Sequence, residues 1–275
     1  MKIGYQGVNG AFSQMALRKF FAEQTHEEIG YSSFTDMFAD VQKGVLDYAL
    51  FPVENTTTGI IARTYDYFQY YDVHAIGEVI VPVRQNLMAL KEAKLEDIRE
   101  VYSHPEALSQ CQGFFSRHPE MKPVVYEDTA LSAKYIREEG DIRKAAIASD
   151  LAADLYGLRI LETEVQDNDL NMTRFLVVSN TEDYPFDADK VSIRIVLKHI
   201  PGALYHALGI FASKNINVVK LESRPIVGQL FEYCFYIDFA GNQHNEDVKE
   251  TLRRLEYDCL DLKVFGFYKA DRDHL

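Results

Sequence analysis

The chain is poor in cysteine, poor in basic residues and without long apolar runs. Its three cysteines, Cys111, Cys234 and Cys259, are odd in number and widely spaced, so they supply no disulfide framework. Each sits in an apolar periodic stretch and reads as a small core residue. No Cys/His spacing resembles a metal site. Lys and Arg number 29 against 42 Asp and Glu, giving a formal net charge of −13 and a pI near 5.1. A surface of that sign repels nucleic acid and anionic membrane, which excludes both as expected partners. It also repels a small anionic substrate, so an anion site here needs local cations and backbone N–H groups. No apolar stretch is long enough to cross a bilayer, and Met1-Lys2-Ile3-Gly4-Tyr5 enters a strand-like run without a charged n-region and an apolar h-region. A cytoplasmic protein with reduced thiols is expected. Short-period repeats and low-complexity tracts are absent.

What remains is an ordinary globular composition, 47% hydrophobic and 26% charged over 275 residues, with room for one large or two moderate domains. Strand-like and helix-like segments alternate from the start. Lys2–Gln6 reads as a strand and 11–21 as a helix; Asp47–Phe51 is a short buried strand, 59–70 helical, and 73–83 extended. Then come strand Glu100–Ser103, helix 104–118, strand 123–126, helix Thr129–Glu139, strand 144–147 and helix Asp150–Tyr156, with Gly157 as C-cap. Such alternation predicts an α/β fold with a mostly parallel sheet and helices on both faces. A polar stretch at 180–189, with Pro185 and several acidic residues, reads as a linker. After it the order becomes strand 191–198, helix 203–214, strand 217–224, strand 232–239, helix 246–256 and strand 263–268, the βαββαβ ferredoxin-like unit. Two domains of different construction are expected, 1–180 and 190–275.

Five places combine turn residues with reactive side chains. Gly4 to Ser13 is a strand, a glycine-rich turn and a helix start, suited to an anion. Its glycines at 4, 7 and 10 do not follow the dinucleotide G-x-G-x-x-G order. Pro52-Val53-Glu54-Asn55 ends a buried strand, where Glu54 and Asn55 bind ligand or Asn55 through Thr58 only caps the helix that follows. Ser103-His104-Pro105-Glu106 ends another, with Ser103 and Glu106 spaced as a capping box. A hydrolase triad through His104 lacks a Gly-x-Ser-x-Gly nucleophile elbow. Glu127-Asp128-Thr129 repeats the strand-to-helix pattern. Asn171-Met172-Thr173-Arg174-Phe175 leads into the apolar run Leu176-Val177-Val178. There Thr173 offers a proton donor and Arg174 a planar fork suited to a carboxylate, although the same row also reads as strand formers with a surface cation. Strand ends that precede helices line clefts in open α/β folds, so these turns are expected to share one.

In order and spacing, Gly7-Val8-Asn9-Gly10-Ala11-Phe12-Ser13, Pro52-Val53-Glu54-Asn55, Ser103-His104-Pro105-Glu106-Ala107-Leu108, Asp128-Thr129-Ala130 and Asn171-Met172-Thr173-Arg174-Phe175 resemble the motifs of the prephenate dehydratase family. The C-terminal part resembles the ACT regulatory module: Pro201-Gly202-Ala203-Leu204 and Glu222-Ser223-Arg224-Pro225 are similar to its two effector-binding motifs. Departures are small: Val8 replaces a usual proline, Thr56 a usual serine, and Phe267 stands in a final strand that often has Gly-Ser-Tyr. The resemblance implies a catalytic part of two α/β lobes around a cleft, like a periplasmic binding protein, followed by an ACT domain. It implies loss of water and carbon dioxide from prephenate to give phenylpyruvate, with no metal or organic cofactor. Thr173 matches the family's essential threonine as proton donor to the departing oxygen, and Arg174 is expected to fix the pyruvyl carboxylate. Glu54, Asn55, Ser103, Gln110, Asn171 and Phe175 carry over as substrate-binding positions, with Phe175 packing beneath the cleft and Glu127 as a further polar position. Gly202, Ala203, Leu204, Glu222, Ser223, Arg224 and Pro225 carry over as effector positions for phenylalanine bound at ACT–ACT interfaces, which implies a homodimer or homotetramer. Two alternatives are an arogenate dehydratase, acting on the amino analogue of the same substrate, and a non-catalytic amino-acid sensor.

Overall fold

The structure, a computed structural model, describes residues 1–226, 228 and 232–273. The elements in chain order are β1 (Lys2–Gln6), α1 (Phe12–Phe20), β2 (Glu27–Tyr31), α2 (Phe34–Gln42), β3 (Tyr48–Asn55), β4 (Gly59–Ile60), α3 (Ala62–Phe68), β5 (His74–Pro82) and β6 (Asn86–Ala89). They continue with β7 (Glu100–Ser103), α4 (Pro105–Ser109), α5 (Gln112–Arg117), β8 (Lys122–Val125), α6 (Thr129–Glu139), β9 (Lys144–Ala148), α7 (Asp150–Tyr156), β10 (Arg159–Glu162) and β11 (Met172–Ser179). The last part is β12 (Lys190–Val196), α8 (Ala203–Ser213), β13 (Val218–Pro225), β14 (Tyr233–Ala240), α9 (Glu246–Asp258) and β15 (Asp261–Tyr268).

The strands form three sheets, in the orders β2-β1-β3-β11-β5 with β4 added to β3, β10-β6-β9-β7-β8, and β13-β14-β12-β15. The expected mostly parallel sheet is therefore corrected to two mixed ones. In the second, β7 runs parallel to β8 and β9, while β6 is antiparallel to β9 and β10. The third has the order of the expected βαββαβ unit, with β12 central and antiparallel to both β14 and β15.

By internal contacts the chain divides into two compact units: Met1–Met37, Leu50–Ile61 and Ile80–Phe175 make one, and Phe38–Ala49, Ala62–Val79 and Leu176–Leu275 the other. The second sheet and its helices supply one core of the first unit, with Val101, Phe114, Ile136, Ala146 and Ile147 removed from solvent. Burial on that scale stabilises each large side chain by about 1.5–3 kcal/mol. Gly10 shows how closely the first turn packs there. Its φ is +96°, and a Cβ would meet the Ala152 backbone at 3.0 Å, so no L side chain fits without displacement. Ser149 ties the same place down, donating to the Gly10 carbonyl at 2.6 Å while its hydroxyl accepts from Ala152 N at 3.1 Å to start α7.

In the second unit α8 and α9 cover one face of the third sheet through Ile193, Ile210, Phe211, Ile237, Phe239 and Leu255. The other face takes α3. Tyr65 packs on Tyr236 with ring centroids 4.9 Å apart, and Phe68 on Phe265 at the same distance. Lys263 donates to the carbonyls of Phe68 and Tyr71, closing the last turn of α3. At Gly266 a Cβ would lie 1.9 Å from the Ala75 carbonyl oxygen, so only glycine permits that approach.

Two expected helices are shorter than the sequence suggests. Residues 59–70 begin as a hairpin strand, Glu54 pairing with Ile60 and Asn55 with Gly59, before α3 starts. Gly59, at φ +80°, makes that turn, and the Asn55 side-chain Oδ1 holds it by accepting from the Thr57 and Thr58 N–H groups. Residues 104–118 form two helices because the Asp167 carboxylate takes the N–H groups of Gln112 at 2.9 Å and Gly113 at 2.8 Å. Those bonds start α5 afresh and end α4.

Candidate active site

A cavity of about 290 Å³ lies within the first unit, walled by the ends of β1, β3 and β11 and by the starts of α1, α4 and α6. All five turns picked out in the sequence contribute to it, through Gly7, Asn55, His104 and Glu106, Asp128 and Thr129, and Thr173, and Gln110 at the end of α4 joins them. The expected convergence of strand ends on one cleft is what the fold produces.

β11 sets the chemistry by its period of two. Thr173 and Phe175 point into the cavity and Arg174 points to the other face. There Arg174, 7% exposed, donates from Nε at 3.1 Å and Nη2 at 2.9 Å to Oε2 of Glu54. The two residues expected to bind substrate are thus partners of each other, and neither lines the cavity. The adjacency of Thr173 and Arg174 suggested one shared site; strand alternation separates them.

Thr173 is 9% exposed and accepts a hydrogen bond from Asn55 Nδ2 at 3.0 Å. The direction of that bond is fixed locally. Asn55 Oδ1 accepts from the backbone N–H groups of Thr57 at 2.9 Å and Thr58 at 3.1 Å, and a backbone N–H only donates. The amide nitrogen of Asn55 must therefore face Thr173. With its oxygen accepting, the Thr173 hydroxyl keeps its own proton for a ligand; among the described residues no acceptor for it is recorded.

Asn55 Nδ2 also donates to Asn171 Oδ1 at 2.7 Å, Asn171 Nδ2 donates to Gln110 Oε1 at 2.8 Å, and Gln110 Nε2 donates to Glu106 Oε1 at 3.2 Å. Asn171 is 2% exposed and stands behind the cavity wall, whereas Gln110 and Glu106 line it. Thr56 joins the same strands, donating to the Leu170 carbonyl at 2.7 Å and accepting from Met172 N at 2.9 Å, so the threonine in the serine position keeps a working hydroxyl.

Ser103 does not line the cavity, and it does not cap the helix. Its hydroxyl is fully buried and donates to the Ile147 carbonyl at 2.6 Å, away from the cavity. The helix cap is His104, whose Nδ1 accepts from Glu106 N at 3.2 Å with Pro105 in the first turn. Sequence reasoning did not single out His104 and Glu106 as cleft residues, although the spacing that suggested a capping box already placed both at the strand end. The cavity walls carry no lysine or arginine among the described residues, but two carboxylates, Glu106 and Asp128. Asp128 is engaged on one oxygen, accepting from Ala130 N at 2.8 Å and Leu131 N at 3.1 Å. Polarity facing an anion comes from the first turn of α1 at Phe12 and Ser13, whose N–H groups have no partner within the helix, and from the side chains of Gln6, Gln85, His104 and Gln110. Cys111 offers no nucleophile, because burial, reinforced by the Asp167 carboxylate, pushes its thiol up to about 12. No group of three His, Cys, Asp or Glu residues suited to a metal occurs among the described residues.

A second cavity, about 640 Å³, lies in the second unit and is lined by Ala203, Leu204, Ser223, Tyr233, Phe235 and neighbours. Of the expected effector positions, Ala203, Leu204 and Ser223 line it. Gly202 caps α8 at φ +82°, while Glu222, Arg224 and Pro225 lie outside the lining. Arg224 instead pairs with Asp66 of α3 at 2.8 Å.

The fold and this geometry define an α/β enzyme cleft with a separate ligand-sized cavity in a ferredoxin-like module. A family model described as prephenate dehydratase matches residues 3–183, and one described as ACT domain matches residues 191–257. The chain belongs to the prephenate dehydratase family, and is a lyase with an ACT module behind its catalytic part. Among relatives, the chloroplastic arogenate dehydratase/prephenate dehydratase 2 of Arabidopsis thaliana is 37% identical over 98% of this chain and 73% of its own. Among solved structures, prephenate dehydratase from Arthrobacter aurescens in complex with L-Phe superposes with a TM-score of 0.90 at 29% identity, over 98% of this chain and 90% of that one. A structure described as GqqA, a novel type of quorum quenching acylase, has the same TM-score and identity over the whole of both chains.

Proposed function

We propose that the chain converts prephenate to phenylpyruvate, residues 1–180 carrying the chemistry and residues 190–275 the regulation. The observation that carries this reading is the Thr173 hydroxyl, held as an acceptor by Asn55 so that its proton is directed to the cavity. In the reaction the ring carboxylate departs as carbon dioxide, its bonding pair enters the ring, and the ring C–O bond breaks with aromatisation. The oxygen leaves as water and needs a proton as it goes. Thr173 is the donor: a free hydroxyl is a weak acid, so it stabilises the departing oxygen by a hydrogen bond that becomes proton transfer as charge develops. The wall without lysine or arginine suits this chemistry, because strong cationic stabilisation of the carboxylate that leaves would favour the ground state. The retained carboxylate falls to the first turn of α1 and the Gln110 amide. Arg174 holds β11 to β3 through Glu54 and does not clamp substrate.

Phenylalanine is the proposed effector, bound in the ACT cavity beside Ala203, Leu204 and Ser223 in a homodimer or homotetramer; the protein is proposed to be cytoplasmic. No described helix is long and apolar enough to cross a membrane. Arogenate is a second substrate reading, favoured by the Glu106 and Asp128 carboxylates on the cavity wall, which suit its ammonium group better than the keto oxygen of prephenate. The test is phenylpyruvate formation from prephenate with and without phenylalanine, run beside phenylalanine formation from arogenate. Absence of both products would overturn the lyase reading.

A further inference from the structure

We propose that Asn171 is a positioning residue that makes Gln110 present N–H groups, and not its carbonyl, to the substrate carboxylate. This inference rests on the lyase reading above for its kinetic readout, and on geometry for its premise.

The chain of bonds has a single permitted polarity. Asn55 Oδ1 is taken by two backbone N–H groups, which no rotation of the side chain can make into acceptors. Asn55 Nδ2 therefore faces Asn171, and the atom it meets at 2.7 Å must be an oxygen. That turns the Asn171 amide nitrogen toward Gln110, where the atom at 2.8 Å must again be an oxygen. The only orientation left to Gln110 puts Nε2 on the cavity side, with one hydrogen toward Glu106 at 3.2 Å and the other available to a ligand. A side-chain amide flips readily where its surroundings are indifferent, and each flip exchanges two donors for an acceptor. Here the surroundings are not indifferent: reversing Gln110 would set its oxygen against Glu106 Oε1 and its nitrogen against Asn171 Nδ2. In a cleft whose walls lack lysine and arginine, this orientation decides whether Gln110 attracts or repels an anion.

Asn171 is buried and outside the cavity lining, so it acts through Gln110 and touches no reacting atom. It also sits apart from the proton donor, because Asn55 reaches Thr173 by its other amide hydrogen. The two branches of the network can thus be separated by experiment.

Asn171→Asp keeps the acceptor for Asn55 but removes the donor for Gln110. Gln110 then turns its nitrogen inward to the new carboxylate and its oxygen toward substrate. The expected result is a rise in KM for prephenate of about tenfold or more with kcat nearly unchanged, the signature of lost carboxylate binding with the Thr173 branch intact. Gln110→Glu, which still accepts from Asn171 but offers no N–H, should raise KM similarly, and the double variant should be little worse than either single one. An unchanged KM in Asn171→Asp overturns the proposal. So do fully additive effects, or a loss of kcat and of thermal stability together, which would mark a merely structural residue. The side-chain amide resonances of Gln110, assigned by their disappearance in Gln110→Glu, provide a readout free of turnover. They should shift in Asn171→Asp; their persistence at the wild-type position overturns the proposal even if prephenate is not the substrate. A wild type that fails to form phenylpyruvate, with those resonances shifting as expected, would remove the lyase reading and leave the orientation standing.

Discussion

Asn55 donates its side-chain amide to the Thr173 hydroxyl across 3.0 Å, and this bond sets the direction of the Thr173 proton. Thr173→Ala removes the donor from a position that is already close-packed and barely exposed, so folding should persist while turnover falls by about 10²–10⁴-fold. Thr173→Ser keeps the hydroxyl and should retain the larger share of activity. Circular dichroism and a phenylpyruvate assay on the purified variants check both statements, and undiminished turnover in Thr173→Ala would sink the assigned mechanism.

Asn55→Asp is the sharper variant. One carboxylate oxygen still accepts from Thr57 and Thr58, so the turn survives. The other faces Thr173 as an acceptor, and the threonine proton turns away from the cavity to meet it. A loss of kcat comparable to that of Thr173→Ala is expected, of about 10²-fold or more, together with a raised KM because Asn171 loses its donor as well, while Asn55→Gly or Asn55→Ala should additionally loosen the turn at Gly59. Steady-state kinetics with thermal melts separates the two effects. Asn55→Asp with normal kcat would show that hydroxyl direction is irrelevant.

Much of this was legible in the sequence, and what was not has identifiable causes. The strand ends and helix starts at Gly7, Asn55, His104, Asp128 and Thr173 could be read because turn chemistry is local, and their convergence follows from the α/β pattern. β2, α2, β6 and β10 were missed because their patterns are weak: Asn86–Ala89 is too short to show alternation, and Glu27–Tyr31 carries two acids and a glycine at an edge. The pairing of Arg174 with Glu54 was hidden for a different reason. Adjacency in a motif suggested a shared site, whereas a strand sends neighbouring side chains to opposite faces. The Ser103 bond to Ile147 was hidden because a capping box and a buried hydroxyl bond cannot be told apart without the partner strand β9.

Arg174→Gln tests what that pairing does. The Arg174 side chain is 8% exposed and Glu54 38%, so removing the cation leaves a half-open carboxylate and a buried gap. A loss of stability of about 1–3 kcal/mol is expected, with KM for prephenate close to wild type in the folded fraction. Glu54→Gln should lose less, and the double variant should recover part of the deficit because both members of the ion pair are then neutral. A tenfold rise in KM at an unchanged melting temperature would restore Arg174 as a substrate clamp.

Glu28 makes the cleft turn sensitive to acid. It accepts from Gln14 Nε2 at 2.5 Å and from Arg18 Nε at 2.8 Å, and Gln14 Oε1 in turn accepts from Gly10 N at 2.6 Å. Burial pushes the Glu28 carboxyl up, but the hydrogen bonds from Arg18 and Gln14, together with the Arg18 charge, outweigh it and leave it below its ordinary value of 4.5. A carboxyl depressed on folding contributes stability that is fully present above the unfolded value and is lost as pH falls through the folded one. The difference in stability between wild type and Glu28→Gln should therefore hold constant above pH 4.5 and shrink below it, because protonated Glu28 and glutamine are nearly isosteric neutral groups. Melting temperatures of the two proteins across an acid series measure this directly. A gap that stays the same down to the point where both unfold would mean that the Glu28 charge contributes nothing to holding the Gly10 turn.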